Sequence, residues 1–197
     1  MVKIILLIGA PGSGKGSLGK IAEKHGHIHI SSSRLLTQEG YDMKNSRNIP
    51  DEVVVKLIKK VISTGHDNPT IILDGFPRSM KQVQVLEREV EVTKAIYLKI
   101  PKGIALQRIT ERIVCPVCGE IYTTNVYKQP KCKGVCDICG CLLERRQGDN
   151  KKTFQKRLSY FVQNTYPIIK YYSTNRKLVT LDATKLNEDI ITMIDSL

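Results

Sequence analysis

The sequence predicts an α/β fold: a parallel five-stranded sheet with helices on both faces. Three observations carry this expectation. Five short apolar, β-branched runs recur along the 197 residues, at Lys3–Ile8, His27–Ile30, Thr70–Leu73, Ala95–Lys99 and Lys177–Leu181. Longer stretches of helical character separate them, among them Glu52–Ile62, Lys81–Glu89, Ile104–Arg112 and Thr153–Tyr171. Such alternation calls for parallel strands joined by crossover helices. Finally, a glycine-rich turn follows the first strand and opens a helix, the context of a phosphate-binding loop.

That first element reads KIILLIGAPGSGKGS from Lys3 to Ser17. Ile4 to Ile8 form a short buried-strand pattern. Gly9, Gly12, Gly14 and Gly16 let the backbone curl so that successive N–H groups point at an anion. Pro11, Ser13 and Ser17 complete the loop. The start of the helix adds partial positive charge, and Lys15 supplies a full charge for terminal phosphates. Gly16 stands where the G-x-x-x-x-G-K-[ST] pattern has Ser or Thr, with Ser17 one later.

His25, His27 and His29 alternate near the second strand and share one face. With no carboxylate or fourth ligand nearby in sequence, they read as strand-edge and core residues rather than metal ligands. Ser31 to Pro50 is polar and interrupts the alternation. The third strand ends in Asp74, followed by Gly75-Phe76-Pro77-Arg78. A carboxylate at a strand end beside a phosphate loop suits magnesium held through water. Arg78 is placed to grip a phosphate with its planar fork. Arg108, Arg112, Arg146 and Arg157 follow, with Arg108 and Arg112 expected one helical turn apart on a shared face.

All six cysteines lie between Cys115 and Cys141. Cys115-Pro-Val-Cys118 and Cys136-Asp-Ile-Cys139 are two C-x-x-C knuckles, each followed by glycine. Four thiolates at that spacing predict a closed, structural tetrahedral Zn2+ site. Cys132 and Cys141 are surplus, although Cys132 is an alternative to Cys136. The segment is too short for a good core, so a metal would hold it together.

Composition is ordinary for a globular protein, at 41% hydrophobic and 25% charged residues, so it does not point to disorder. A net charge of +12 favours polyanionic partners, but the charges are scattered and form no basic arm. No run has transmembrane length, and the N-terminal apolar run is too short for a signal peptide. The expectation is a cytoplasmic protein.

Taken in order, these motifs resemble the adenylate kinases, in the bacterial form with a zinc-bearing lid, over nearly the whole chain. GAPGSGKGS is similar to the family's phosphate loop, including the glycine after the lysine. DGFPRSMKQ, Asp74 to Gln82, resembles the family's DGFPR segment and its following glutamine. RITERIVCPVC matches the helix entering the lid, GVCDICG the second zinc knuckle, and RRQGDNKKTFQKRL the lid exit. LDATK, Leu181 to Lys185, resembles the segment near the donor base.

The resemblance implies phosphoryl transfer from ATP to AMP giving two ADP, with Mg2+ accompanying ATP and the lid closing over the donor. It implies that Gly9 to Ser17 hold the donor phosphates, with Lys15 on the terminal ones. Arg108 stacks on the donor adenine, with Lys185 close to that base. Arg112, Arg146 and Arg157 surround the transferred group. Arg78 grips the acceptor phosphate, Gln82 reads the acceptor adenine, and Ser32 and Gly75 line that site. Asp74 organises magnesium water. The implied division is a core of residues 1–30, 59–112 and 150–197, a shortened acceptor-binding arm at 31–58 and a zinc lid at 113–149. A monomer without membrane or nucleic-acid partners is expected.

The departures gather around the acceptor. Where the family has S-T-G-D-x-x-R, this chain has Ser31-Ser32-Ser33-Arg34-Leu35-Leu36-Thr37, and the arm is about ten residues short, in a segment where loop priors already flag an unusual connection. Arg34 and Arg47 are candidate substitutes for the missing arginine. One of the lid's paired aspartates is Gly148, leaving Asp149, and Leu18 replaces a glutamine. Two alternatives stay open: a nucleoside monophosphate kinase with altered or weakened acceptor specificity, and a nucleotide-binding regulatory protein without efficient turnover. The latter would engage nucleic acid through its zinc module, with Tyr122 and Tyr127 stacking on bases.

Overall fold

The computed structural model describes residues 2–42, 49–64, 70–124, 128–185 and 189–197. Arg47 and Tyr127 lie outside them. The first strand, β1 (Lys3–Gly9), is buried along nearly its whole length. That continuous burial is what a central parallel strand requires. It pairs in parallel with β3 (Thr70–Asp74) on one side and β4 (Lys94–Lys99) on the other. β2 (Ile28–Ser31) and β7 (Leu178–Asp182) complete a five-stranded sheet in the order β2-β3-β1-β4-β7. All five strands match the expected runs to within a residue at each end.

Side-chain alternation along β1 divides the core in two. Ile4, Leu6 and Ile8 face one layer, with Val54, Val55 and Ile58 of α3 (Asp51–Ile62), Val83 and Leu86 of α4 (Met80–Glu87), and Ile168 and Tyr172 of α7 (Tyr166–Thr174). Ile5 and Leu7 face the other, with Leu18 and Ala22 of α1 (Lys15–Lys24) and Ile191 and Ile194 of α8 (Asp189–Ser196). Burying both faces of the sheet is the physical source of the doubly covered architecture. Among the described residues, no helix is long and apolar enough to cross a membrane.

Two expected helices are corrected. The stretch Ile104–Arg112 is helical only as α5 (Lys102–Thr110), and Arg112 opens a short strand, β5 (Arg112–Val114). Arg108 and Arg112 therefore share no helix face. The β-branched Ile113 and Val114 pair antiparallel with β6 (Ile121–Thr123), so sheet pairing in the cysteine segment outcompetes one more helical turn. The stretch Thr153–Tyr171 forms α6 (Lys151–Tyr160), then a π-helical turn at Phe161–Thr165, then α7. Asn150 caps α6 by accepting from the Thr153 N–H at 2.9 Å. The remaining helix, α2 (Ser32–Gln38), follows directly on β2.

Candidate active site

Parallel pairing places the C-terminal ends of β1, β2 and β3 side by side, with Asp74 opposite Leu7 in one register and Ser31 in the other. This is where ligands bind in open α/β sheets. The glycine loop leaves β1 here. Gly12 has φ of 83°, and a Cβ on it would stand 2.4 Å from the Ala105 carbonyl oxygen of α5, so both conformation and space require glycine. Gly14 takes a left-handed φ of 93° as it enters α1. Gly16, the departure from the loop pattern, faces open space.

Lys15 folds back over this loop, and its Nζ donates to the Gly9 carbonyl at 2.6 Å and to that of Ala10 at 3.3 Å. Burial lowers its pKa to about 8 against the attraction of Asp74, while Arg78, Arg157 and Arg112 add repulsion. Asp74, Arg78, Arg157 and Arg112 thus all lie near enough to act on the Lys15 charge. Burial works against the Asp74 carboxylate, but contact with His29 and the charges of Lys15 and Arg78 outweigh it and hold the group below the ordinary carboxylate range. His29 Nε2 stands 3.8 Å from Asp74 Oδ2 and Nδ1 3.8 Å from Glu23. His29 is thus a buried core residue, as expected.

The residues expected on the acceptor side gather about Gly75. Its φ is 87°, and a Cβ there would meet Ser32 Oγ at 2.7 Å and Arg78 Nη2 at 3.1 Å, so the Ser32 hydroxyl and the Arg78 guanidinium share one small space. Arg78 is anchored at three points. Its Nε donates to the Gly75 carbonyl at 2.5 Å, its backbone N–H to Gln82 Oε1 at 2.7 Å, and its carbonyl accepts from Thr165 Oγ1 at 2.9 Å. Arg34 does not join this cluster through its Nη2, which binds Glu23 at 2.6 Å and the His29 carbonyl at 2.7 Å. Thr37 turns its hydroxyl back onto the Ser33 carbonyl at 2.9 Å.

Among the residues expected on the donor side, Arg108 Nη1 donates to the Ala183 carbonyl at 2.9 Å. This joins α5 to the Ala183–Lys185 turn, where Lys185 is exposed. Arg112 makes a two-pronged ion pair with Asp149, Nε to Oδ2 and Nη2 to Oδ1, each at 2.7 Å. Asp149 is nearly buried, at 4% side-chain exposure, so the pair ties the entry of the cysteine segment to its exit. Arg157, on α6, has its pKa lowered by partial burial and by the charges of Arg112 and Arg146. Arg112, Arg146 and Arg157 thus act on one another as neighbouring positive charges.

The cysteine segment folds over α1. Lys20 Nζ donates to the Gly119 carbonyl at 2.7 Å and to Glu120 Oε2 at 3.0 Å, while Lys128 binds the other Glu120 oxygen. The Sγ atoms of Cys115, Cys118, Cys136 and Cys139 all lie within 4.8 Å of one another. Cys115 and Cys139 are 3.3 Å apart and Cys118 and Cys136 3.5 Å. Tetrahedral zinc with bonds of about 2.3 Å would set these separations near about 3.8 Å, so the donor set is compatible with zinc. The knuckles repeat one turn: Gly119 N–H donates to the Cys115 carbonyl and Gly140 N–H to that of Cys136. Cys132 is exposed and outside the group. Tyr122 is buried against Cys136 and accepts from the Asp137 N–H at 2.9 Å, so it packs the segment rather than offering a stacking surface.

Sequence reasoning missed the contacts made at long range. Thr165 reaches Arg78 across 87 positions, Lys20 reaches Glu120 across 100, and Asp51 binds Gln82 across 31. No local pattern signals such pairs.

The family model described as adenylate kinase matches residues 7–177. An adenylate kinase of Clostridium tetani (strain Massachusetts / E88) is 32% identical over 209 residues, covering 98% of this chain and 96% of the relative. That aligned length exceeds the 197 residues here, so the relative carries segments this chain lacks. An adenylate kinase of Fervidobacterium nodosum is 33% identical, covering 96% of this chain and 94% of its own. One of Rickettsia bellii is 33% identical, covering 95% and 94%.

Proposed function

The chain belongs to the adenylate kinase family, and on that premise we propose how its own residues carry the reaction. It transfers a phosphoryl group from ATP to AMP. A phosphate oxygen of AMP bonds to the γ-phosphorus as the bond to the β,γ-bridging oxygen breaks, leaving two ADP. Such transfer needs positioning, positive charge and exclusion of water rather than covalent help. The observation that carries the reading is the glycine loop at the C-terminal end of β1 with Lys15 Nζ folded over it, where Asp74, Arg78, Arg157 and Arg112 all act on the Lys15 charge.

In this reading the loop Gly9 to Ser17 binds the donor phosphates, and Lys15 exchanges its two carbonyl contacts for the terminal phosphates. Arg108 and Lys185 flank the donor base. Arg78, with Ser32 and Gly75, holds the acceptor phosphate, and Gln82 faces the acceptor base. Arg112, Arg146 and Arg157 neutralise the transferred group. Asp74, ionised and beside Lys15, would hold Mg2+ through water, and that ion would supply further charge to the donor phosphates. Residues 113–149 act as a lid, with Zn2+ on Cys115, Cys118, Cys136 and Cys139. Residues 31–58 serve as a short acceptor arm on the core of 1–30, 59–112 and 150–197. The protein works as a cytoplasmic monomer. The altered-acceptor and regulatory readings are not favoured, because no observation sets them above the family's own reaction. The test is ADP formation from ATP with AMP, GMP, CMP and UMP side by side. Rapid turnover with AMP is expected, and turnover with another monophosphate alone would overturn the reading.

A further inference from the structure

The side-chain amide of Gln82 is held at both ends by partners of fixed polarity. Its Oε1 accepts from the Arg78 backbone N–H at 2.7 Å, and its Nε2 donates to Asp51 Oδ1 at 2.8 Å. A backbone N–H only donates, and an ionised carboxylate only accepts. Flipping the amide would set N–H against N–H and oxygen against carboxylate. Two hydrogen bonds would be lost, the part-buried one to Asp51 and the exposed one from Arg78, and two repulsive contacts made. The amide therefore has one orientation. Asp51 is well placed to enforce it: it opens α3, its side chain is 16% exposed, and Lys81 Nζ stands 4.0 Å from its second oxygen.

These two bonds leave Oε1 one lone pair and Nε2 one hydrogen, an acceptor beside a donor. A 6-aminopurine presents the complement, a donating 6-amino group beside an accepting N1. A 6-oxopurine presents the reverse, an accepting O6 beside a donating N1–H. An amide free to rotate would serve either base, whereas a locked one serves only one of them, the first when its Oε1 faces the 6-position. We infer that Asp51 sets the acceptor base preference of this enzyme, by locking the Gln82 amide in the orientation that pairs with a 6-aminopurine and opposes a 6-oxopurine. The inference rests on the reading of Gln82 as the residue facing the acceptor base. Asp51 is a positioning residue that acts through Gln82 and does not itself touch the base.

The test compares kcat/KM for AMP and for GMP, with ATP as donor, in the wild type, Asp51→Asn, Asp51→Glu, Gln82→Ala and the double variant Asp51→Asn with Gln82→Ala. Asp51→Asn removes the obligate acceptor and should lower the AMP-to-GMP ratio about tenfold, equivalent to about 1.4 kcal/mol, with the change in KM rather than kcat. Asp51→Glu keeps a carboxylate and should restore most of the ratio. In the Gln82→Ala background, Asp51→Asn should add nothing. If Asp51→Asn proves unstable, Asp51→Ser, which also lacks a carboxylate and suits a first helical turn, takes its place. The inference is overturned if Gln82→Ala collapses the ratio while Asp51→Asn leaves it within about twofold of wild type. It is equally overturned if Asp51→Asn acts as strongly without Gln82. A Gln82→Ala variant with unchanged preference would instead sink the underlying reading of Gln82.

Discussion

Lys15 shows how much chemistry one residue draws from its surroundings. Its position in the loop pattern makes it the candidate for terminal phosphates, but burial and three arginines, opposed by Asp74, lower its pKa to about 8. Two consequences follow. Lys15→Ala should lower kcat by roughly 10²–10³-fold with the fold intact, because a preorganised positive charge is lost. In the free enzyme kcat/KM for ATP should fall as pH rises through about 8, since the ammonium form is the one that binds phosphate. Folding favours the neutral amine here. Its stability contribution is therefore full above the ordinary 10.5 and is lost as pH falls towards about 8, the opposite trend from activity. A pH–rate profile with no fall on the alkaline side near that value would contradict this. Arg34 illustrates the converse. Sequence made it a candidate for the acceptor phosphate, yet it binds Glu23 and the His29 carbonyl. Arg34→Ala should leave KM for AMP within about twofold, and cost under about 1 kcal/mol of stability as a half-exposed pair. A tenfold rise would restore it to the acceptor site.

At the scale of elements, the cysteine segment brings four thiols together at a spacing compatible with zinc. Its small cluster of Cys115, Tyr122 and Cys136 is too little apolar surface to order it. Zinc on four thiolates would add on the order of 10 kcal/mol, and that binding energy is folding energy. Metal analysis of the purified protein should find one zinc per chain, and a chelator should lower the melting temperature. Cys136→Ser should lose the metal while Cys132→Ser keeps it. The reverse pattern would break the ligand assignment. The C-x-x-C spacing made this element readable, because both ligands of each knuckle are neighbours in the chain. The end of α5 was not readable. Ile104 to Arg112 has acceptable helical character, and only the pairing of β5 with β6 decides that Arg112 leaves the helix. The π-helical turn at Phe161–Thr165 likewise has no local signature. It lies where Thr165 meets the Arg78 carbonyl and Phe161 meets the core.

For the whole molecule, the donor and acceptor halves differ in completeness. The donor side keeps the loop, the lysine and the arginines about the lid. On the proposed acceptor side, Thr37 stands where the resemblance calls for an arginine and its hydroxyl is turned onto the Ser33 carbonyl, while Arg34 binds Glu23. Loss of one preorganised phosphate donor is worth roughly 2–4 kcal/mol in the transition state. KM for AMP should therefore exceed that of the Clostridium tetani enzyme assayed alongside by about tenfold or more, with KM for ATP similar. Equal AMP constants would show that another residue has replaced the arginine.

The sequence by itself determined the five strands, the glycine loop that opens α1, the paired cysteine knuckles and the identities of the charged residues. Each of these is written in neighbouring residues: apolar runs long enough for a strand, glycines at fixed offsets from Lys15, cysteines three positions apart. Tertiary structure alone decided what those residues meet. It set Lys15 against Asp74, bound Arg112 to Asp149, turned Arg34 onto Glu23 and locked Gln82 with Asp51. These pairings join positions 11 to 59 residues apart, and they exist because sheet order and helix packing bring distant segments together. Hydrogen bonds and ion pairs act over a few ångströms, so partners chosen by the fold leave no trace in local sequence.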